Sequence, residues 1–175
     1  PEITIRNHAV NGRSTRSFLA EGRLQYMIDQ LKSGDYVCIQ FGHNDGKIED
    51  SARYTDPEHD YPAFLQQYIT AIRSKGATPI LLTSVSRRYF LANGQIDPAA
   101  LGSYPAAMRQ VAAATGTPLV DVFEHSQQLY QELGEQGSIS LFMHLEPGAH
   151  PNYPNGITDN THFCEYGAAR IAELI

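Results

Sequence analysis

Residues 36–45 read YVCIQFGHND. The first six, Tyr36–Phe41, are rich in β-branched and aromatic side chains and nearly continuous in apolar character. Such a run, four to eight residues long, predicts a strand covered on both faces. Gly42-His43-Asn44-Asp45 then stops it. Upstream, Leu24, Met27, Ile28 and Leu31 fall at i, i+3, i+4 and i+7, and Gly34 follows as a helix stop. Downstream, Tyr61, Phe64, Leu65, Tyr68 and Ile72 repeat that spacing up to Gly76, and PILLTSV (79–85) is a second apolar run. Strand, helix, strand in this order implies a right-handed crossover and a parallel sheet.

Working outward, Ile3–Val10 and Pro118–Phe123 (PLVDVF) read as further strands. Leu101, Tyr104, Met108 and Val111 predict a helix after an Asp97-Pro98 start signal. Leu129 and Leu133 mark a shorter one before Gly134, and Ala168, Ile171 and Ile175 a terminal one. The expected fold class is α/β, a three-layer α/β/α sandwich with a parallel sheet, over one domain spanning 1–175. Two stretches, 46–60 and 143–158, read as long loops. Cys38 falls in a strand expected to be buried and is read as an inert core thiol.

Composition narrows the function classes. The chain has 175 residues, 42% of them hydrophobic and 18% charged, which excludes a disordered chain. Thirteen Lys and Arg against nineteen Asp and Glu leave a net charge of −6. No nucleic-acid partner is expected from that balance. No apolar run approaches the roughly 20 residues of a membrane span, so no membrane partner is expected either. Two cysteines make no disulfide scaffold. The chain opens at Pro1 inside a predicted strand, so residues are expected ahead of it, where any leader peptide would lie.

Open parallel sheets place function at the carboxyl ends of their strands. Three stretches qualify. In Asp159-Asn160-Thr161-His162 a carboxylate sits three residues before an imidazole, close enough to fix its tautomer and leave Nε2 as a general base. The bland alternative is an N-cap Asp with a surface His. In the Gly42–Asp45 stretch the Asn44 amide is a neutral donor suited to an oxyanion, or else part of a plain Asn-Asp turn. In NGRSTRS (11–17) Gly12 can present its N–H without a Cβ in the way, or the stretch is a turn capped by Ser14 or Thr15.

Together these stretches carry a resemblance. Through NHAVNGRSTRSF (7–18), GDYVCIQFGHND (34–45), GATPILLTSVSRRYF (76–90) and DNTHF (159–163), the chain resembles the SGNH, or GDSL, hydrolases. Among these it is most similar to the rhamnogalacturonan acetylesterases of the family-twelve carbohydrate esterases. The resemblance implies a flavodoxin-like sheet of order 2-1-3-4-5. It also implies that His162 and Asp159 belong to a catalytic triad, and that Asn44 and the Gly12 N–H form an oxyanion hole with it around one nucleophilic serine. That serine lies in a Gly-Asp-Ser block on the first strand, and no Gly-Asp-Ser occurs in these residues; Gly34-Asp35 is followed by Tyr36. The first strand is therefore expected to be missing from this chain, truncated at its N-terminus, with its slot between Ile3–Val10 and Tyr36–Phe41. The chain alone is expected to be inactive.

The implied activity is that of a serine esterase deacetylating plant cell-wall polysaccharide, foremost acetylated rhamnogalacturonan of pectin. Two alternatives stay open, a lysophospholipase or thioesterase of the same superfamily and a non-catalytic carbohydrate-binding domain. Arg87 and Arg88, after the PILLTSV strand, and Arg13, beside Gly12, are expected to bind substrate carboxylates, with His43 beside Asn44 as a further substrate contact. No cofactor is expected, and no metal, since the spacing of His43, His144 and His150 matches no ligand pattern. The expected partner is an acetylated polysaccharide or oligosaccharide, and the expected location is secreted or periplasmic.

Overall fold

A computed structural model of the protein describes residues 3–175. The chain divides into two compact units, one made of the residues up to Leu82 with Ser103–Leu119, the other of Thr83–Gly102 with Val120–Ile175.

In the first unit, helices α1 (Thr15–Ala20) and α2 (Arg23–Ile28) precede strand β1 (Tyr36–Ile39), helix α3 (Asp60–Ser74), strand β2 (Thr78–Leu82) and helix α4 (Tyr104–Thr115). The helical periods place Leu65 and Ile72 of α3 and Met108 of α4 in a core where each is fully buried. β1 and β2 pair in parallel, Tyr36 opposite Thr78 and Ile39 opposite Leu81. The short β3 (Leu119–Val120) follows β2 in the sheet order β1-β2-β3, with Leu81 N–H donating to Pro118 O at 2.9 Å. The parallel α/β character expected from the alternating segments is present.

Several expectations need correction. Ile3–Val10 forms no strand: Ile3 and Ile5 are 86% and 87% exposed, and no described strand pairs with them. A strand needs a neighbour to satisfy its backbone groups, and an apolar, β-branched composition does not supply one. β1 has β2 as its single strand neighbour among the described residues, so Cys38 is exposed and not a core thiol. The PLVDVF strand ends after two residues, and Val122 and Phe123 enter a helix instead. Asp121 caps that helix by accepting from Glu124 N–H, and Thr83 Oγ1 accepts from Phe123 N–H. α4 starts at Tyr104, well beyond Asp97-Pro98.

The second unit contains α5 (Val122–Gly137), β4 (Phe142–Leu145), β5 (Ile157–Phe163) and α6 (Glu165–Ala172). Its buried side chains include Val122, Tyr130, Leu141 and Phe142. The stretch read as a loop over 143–158 is in part an antiparallel pair, β4 with β5. α6 lies so close to the preceding chain that a Cβ on Gly167 would meet Leu141 O at 1.8 Å. Only glycine fits there.

Candidate active site

In the first unit the sequence-derived residue Asn44 reaches Arg13, the residue after Gly12. Gly12 has φ +76°, a left-handed conformation natural to glycine, and the chain then turns into α1. Ser14 caps α1 by accepting from Ser17 N–H, and Ser17 Oγ accepts from Ser14 N–H, so both hydroxyls are spent on a buried capping box. The Asn44 amide spans the turn. Its Nδ2 donates to Arg13 O at 3.2 Å, and its Oδ1 accepts from Arg53 Nη1 at 3.4 Å. Arg53 is itself held by Asp50 at 2.6 Å. A cation on the oxygen side fixes which way the amide points, and Nδ2 carries a second hydrogen for an incoming acceptor. A neutral, oriented amide with a spare N–H is a donor that an oxyanion can accept from.

Asp45, one residue on, was not singled out by the sequence reading. It is fully buried. Its Oδ1 accepts from Thr15 N–H at 3.0 Å, Thr15 Oγ1 at 2.5 Å and Thr55 Oγ1 at 2.9 Å, while Oδ2 is buried with no hydrogen-bond partner among the described residues. Burial pushes its carboxyl above the ordinary value, against the opposing hydrogen bonds from Thr15 and Thr55. Asp45 thus ties the start of α1 to the loop carrying Asn44. No alternating or helical pattern marks it, because its role depends on partners 30 and 10 residues away.

In the second unit, Asp159 Oδ2 lies 2.7 Å from His162 Nδ1, and Asp159 Oδ1 accepts from the N–H groups of Thr161 and His162 at 2.7 and 3.0 Å. Burial alone would raise the Asp159 carboxyl. The hydrogen bonds from the His162 N–H, the His162 ring and the Thr161 N–H outweigh it and hold the group below its ordinary value. An ionised carboxylate only accepts, so His162 donates from Nδ1, and Nε2 makes no hydrogen bond among the described residues. The His162 side chain is 78% exposed, leaving Nε2 open to a reactant. The N-cap alternative fails: the N-cap of α6 is Cys164, and Asp159 lies inside β5.

That position has a physical basis in the strand register. Phe142 pairs with Phe163, and His144 with Thr158. One residue of β4 therefore faces four of β5, and the segment 159–162 bulges out of the ladder. Bulges re-aim side chains.

The expected substrate contacts divide. Arg13 is turned onto Glu21, with Nε 3.0 Å from both carboxylate oxygens, and onto Asn11 O. Arg88 is 9% exposed, and its donors are taken by Ser138, Asn160 and Glu135, so it does not project to solvent. Arg87 is exposed, and its guanidinium has no ion-pair partner among the described residues. His43 is partly buried next to Asn44. Among the described residues, no group of three His, Cys, Asp or Glu side chains is placed to hold a metal.

The sequence pattern of the GDSL-like Lipase/Acylhydrolase family matches residues 1–154. The chain belongs to this family. Rhamnogalacturonan acetylesterase RhgT of Bacillus subtilis is 44% identical over 173 residues, covering 99% of this chain and 72% of that protein. Among solved structures, the Bacillus subtilis protein YxiM superimposes with a TM-score of 0.81 at 24% identity, over 98% of this chain and 44% of the other. An acetylxylan esterase of Geobacillus stearothermophilus reaches 0.63 at 17% identity, over 93% of this chain and 66% of its own. The two structures place this GDSL-family chain in a shared α/β fold. The family match stops ahead of Asp159 and His162, whose pairing rests on their own geometry.

Proposed function

We propose that the protein is a serine esterase that removes acetyl groups from plant cell-wall polysaccharide, acting on acetylated rhamnogalacturonan of pectin. The observation that carries the reading is the Asp159–His162 pair, a free imidazole Nε2 fixed in its tautomer by an ionised carboxylate. The 44% identity to a rhamnogalacturonan acetylesterase supports the substrate class.

In this reading His162 Nε2 accepts the proton of a seryl hydroxyl as it attacks the acetyl carbonyl, and Asp159 stabilises the imidazolium. The Asn44 amide and the Gly12 N–H receive the oxyanion. His162 then protonates the departing sugar hydroxyl, and water releases acetate by the same path. These 175 residues hold no Gly-Asp-Ser, so the reading assigns the nucleophile to a segment outside them and turnover to the whole protein. Arg87, the uncommitted guanidinium, suits a galacturonate carboxylate. A polymeric pectic substrate, found outside cells, supports a secreted or periplasmic location.

The test is acetate release by the whole protein from acetylated rhamnogalacturonan and from acetylxylan, beside para-nitrophenyl esters of rising acyl length. Preference for acetate and for the pectic polymer supports the reading. Preference for long acyl chains replaces it with a lipid- or thioester-directed enzyme, and binding without release makes this a carbohydrate-binding domain.

A further inference from the structure

Between the last paired residues of β4 and β5, the segment 159–162 has no ladder of its own to hold it. Asn160 within it is anchored from elsewhere. Arg88 N–H donates to Asn160 O at 3.0 Å, and Arg88 Nη1 donates to Asn160 Oδ1, also at 3.0 Å. His144 Nε2 reaches the same Oδ1 at 2.9 Å. Since that oxygen is an acceptor, His144 donates.

The rest of the Arg88 guanidinium is fastened too. Nε donates to Ser138 Oγ at 2.9 Å, Nη2 donates to Glu135 O, and the group lies 5.6 Å over the Phe90 ring. No carboxylate pairs with it at salt-bridge distance among the described residues. Its hydrogen bonds go to neutral acceptors; burial opposes its charge and the nearby Glu135 charge only partly offsets that cost, so an apolar side chain of similar size would pack there at less expense. Such an arrangement is tolerated where the fork geometry itself is needed.

We propose that Arg88, acting through Asn160, is a positioning residue that sets the geometry of the Asp159–His162 pair. The inference rests on the esterase reading for its kinetic consequence, and on the bulge alone for its structural one. Asn160 is the residue between the carboxylate and the backbone N–H groups that carboxylate accepts from. Freeing Asn160 lets Asp159 and the His162 ring drift apart, because the four residues outside the ladder are then held by the Asp159 carboxylate's own hydrogen bonds and not by a neighbouring element. A misplacement of about 1 Å in a general base costs up to roughly 100-fold in rate.

The experiment compares R88M, N160A and N160D in the whole protein. Acetylester kinetics are measured beside the long-range 1H–15N correlation of the His162 ring, which reports its tautomer. Expected for R88M and N160A is a ten- to hundredfold fall in kcat with KM within about twofold, and a His162 ring that loses its Nδ1–H preference. N160D, which keeps an acceptor for Arg88, is expected to retain the wild-type ring signature. Unchanged kcat and ring signals in N160A overturn the proposal, as does a rise in KM at constant kcat, which would make these residues substrate contacts. A lower kcat with an unaltered ring tautomer also overturns it. If R88M does not fold, N160A decides, since it keeps the guanidinium and removes its target. A wild-type protein without esterase activity defeats the esterase reading, while the ring spectra still decide whether Arg88 positions the pair.

Discussion

The carboxylate of Asp159 and the imidazole of His162 meet at 2.7 Å, three residues apart on a bulged strand, with most of the ring still in solvent. A ring so exposed contributes little to packing. H162A is therefore expected to remove ester hydrolysis, on the order of 10,000-fold or more in kcat, while shifting the melting temperature by no more than about 2 °C. Full activity in that variant would take His162 out of the mechanism. Parallel melting curves would show whether the loss is chemical.

Against burial, the hydrogen bonds from His162 and Thr161 hold the Asp159 carboxyl below the usual range. A lowered folded-state value contributes stability above the unfolded value of about 3.9, and that contribution is lost as pH falls through the folded value. D159N removes it. The difference in melting temperature between wild type and D159N should shrink as pH is lowered from 7 toward 3, and thermal scans across that range check the sign.

Asn44 is oriented by Arg53 and Arg13 O, and these two bonds use one of its amide hydrogens. N44A should depress kcat by about 100- to 1,000-fold and change KM little. Steady-state kinetics on acetyl ester would show the reverse pattern if Asn44 held substrate instead.

Asp45 offers a stability test with the opposite pH sign. Its carboxyl is raised by burial, so the folded state holds the proton more tightly than the unfolded chain. Stability is then lost as pH rises from the unfolded value through the raised folded one. D45N retains an acceptor for Thr15 and Thr55 and carries no charge. Relative to D45N, wild type should lose stability as pH rises above the unfolded value of about 3.9. D45A, which strands three donors, should cost about 3 kcal/mol or more by urea unfolding.

Gly167 gives a packing test. A methyl there meets the Leu141 backbone carbonyl, which cannot swing aside as a side chain can. G167A should destabilise the protein by at least about 2 kcal/mol, read as a lower urea midpoint at unchanged m-value.

What could be read from letters alone was whatever local spacing governs. The periods of α3 and α4 follow from side chains three and four apart sharing a helix face, so their buried residues were legible. The Asp159–His162 contact was legible for the same reason, since three residues bring the two groups within reach. Opposite cases depend on distant partners. Ile3–Val10 has strand composition and no strand, and Cys38 has core surroundings in sequence yet lies exposed, because the number of neighbours beside a strand is not written in the strand.

The remaining features belong to the folded chain. The register that bulges residues 159–162 out of β5, the inward turn of Arg88 onto Asn160 72 positions away, and the burial of Asp45 against Thr15 all come from non-local pairing. Sequence chose the reactive groups by type and order, because chemistry is a property of side chains. Their orientation waited on hydrogen bonds between segments far apart in the chain, which form once the backbone has closed around them.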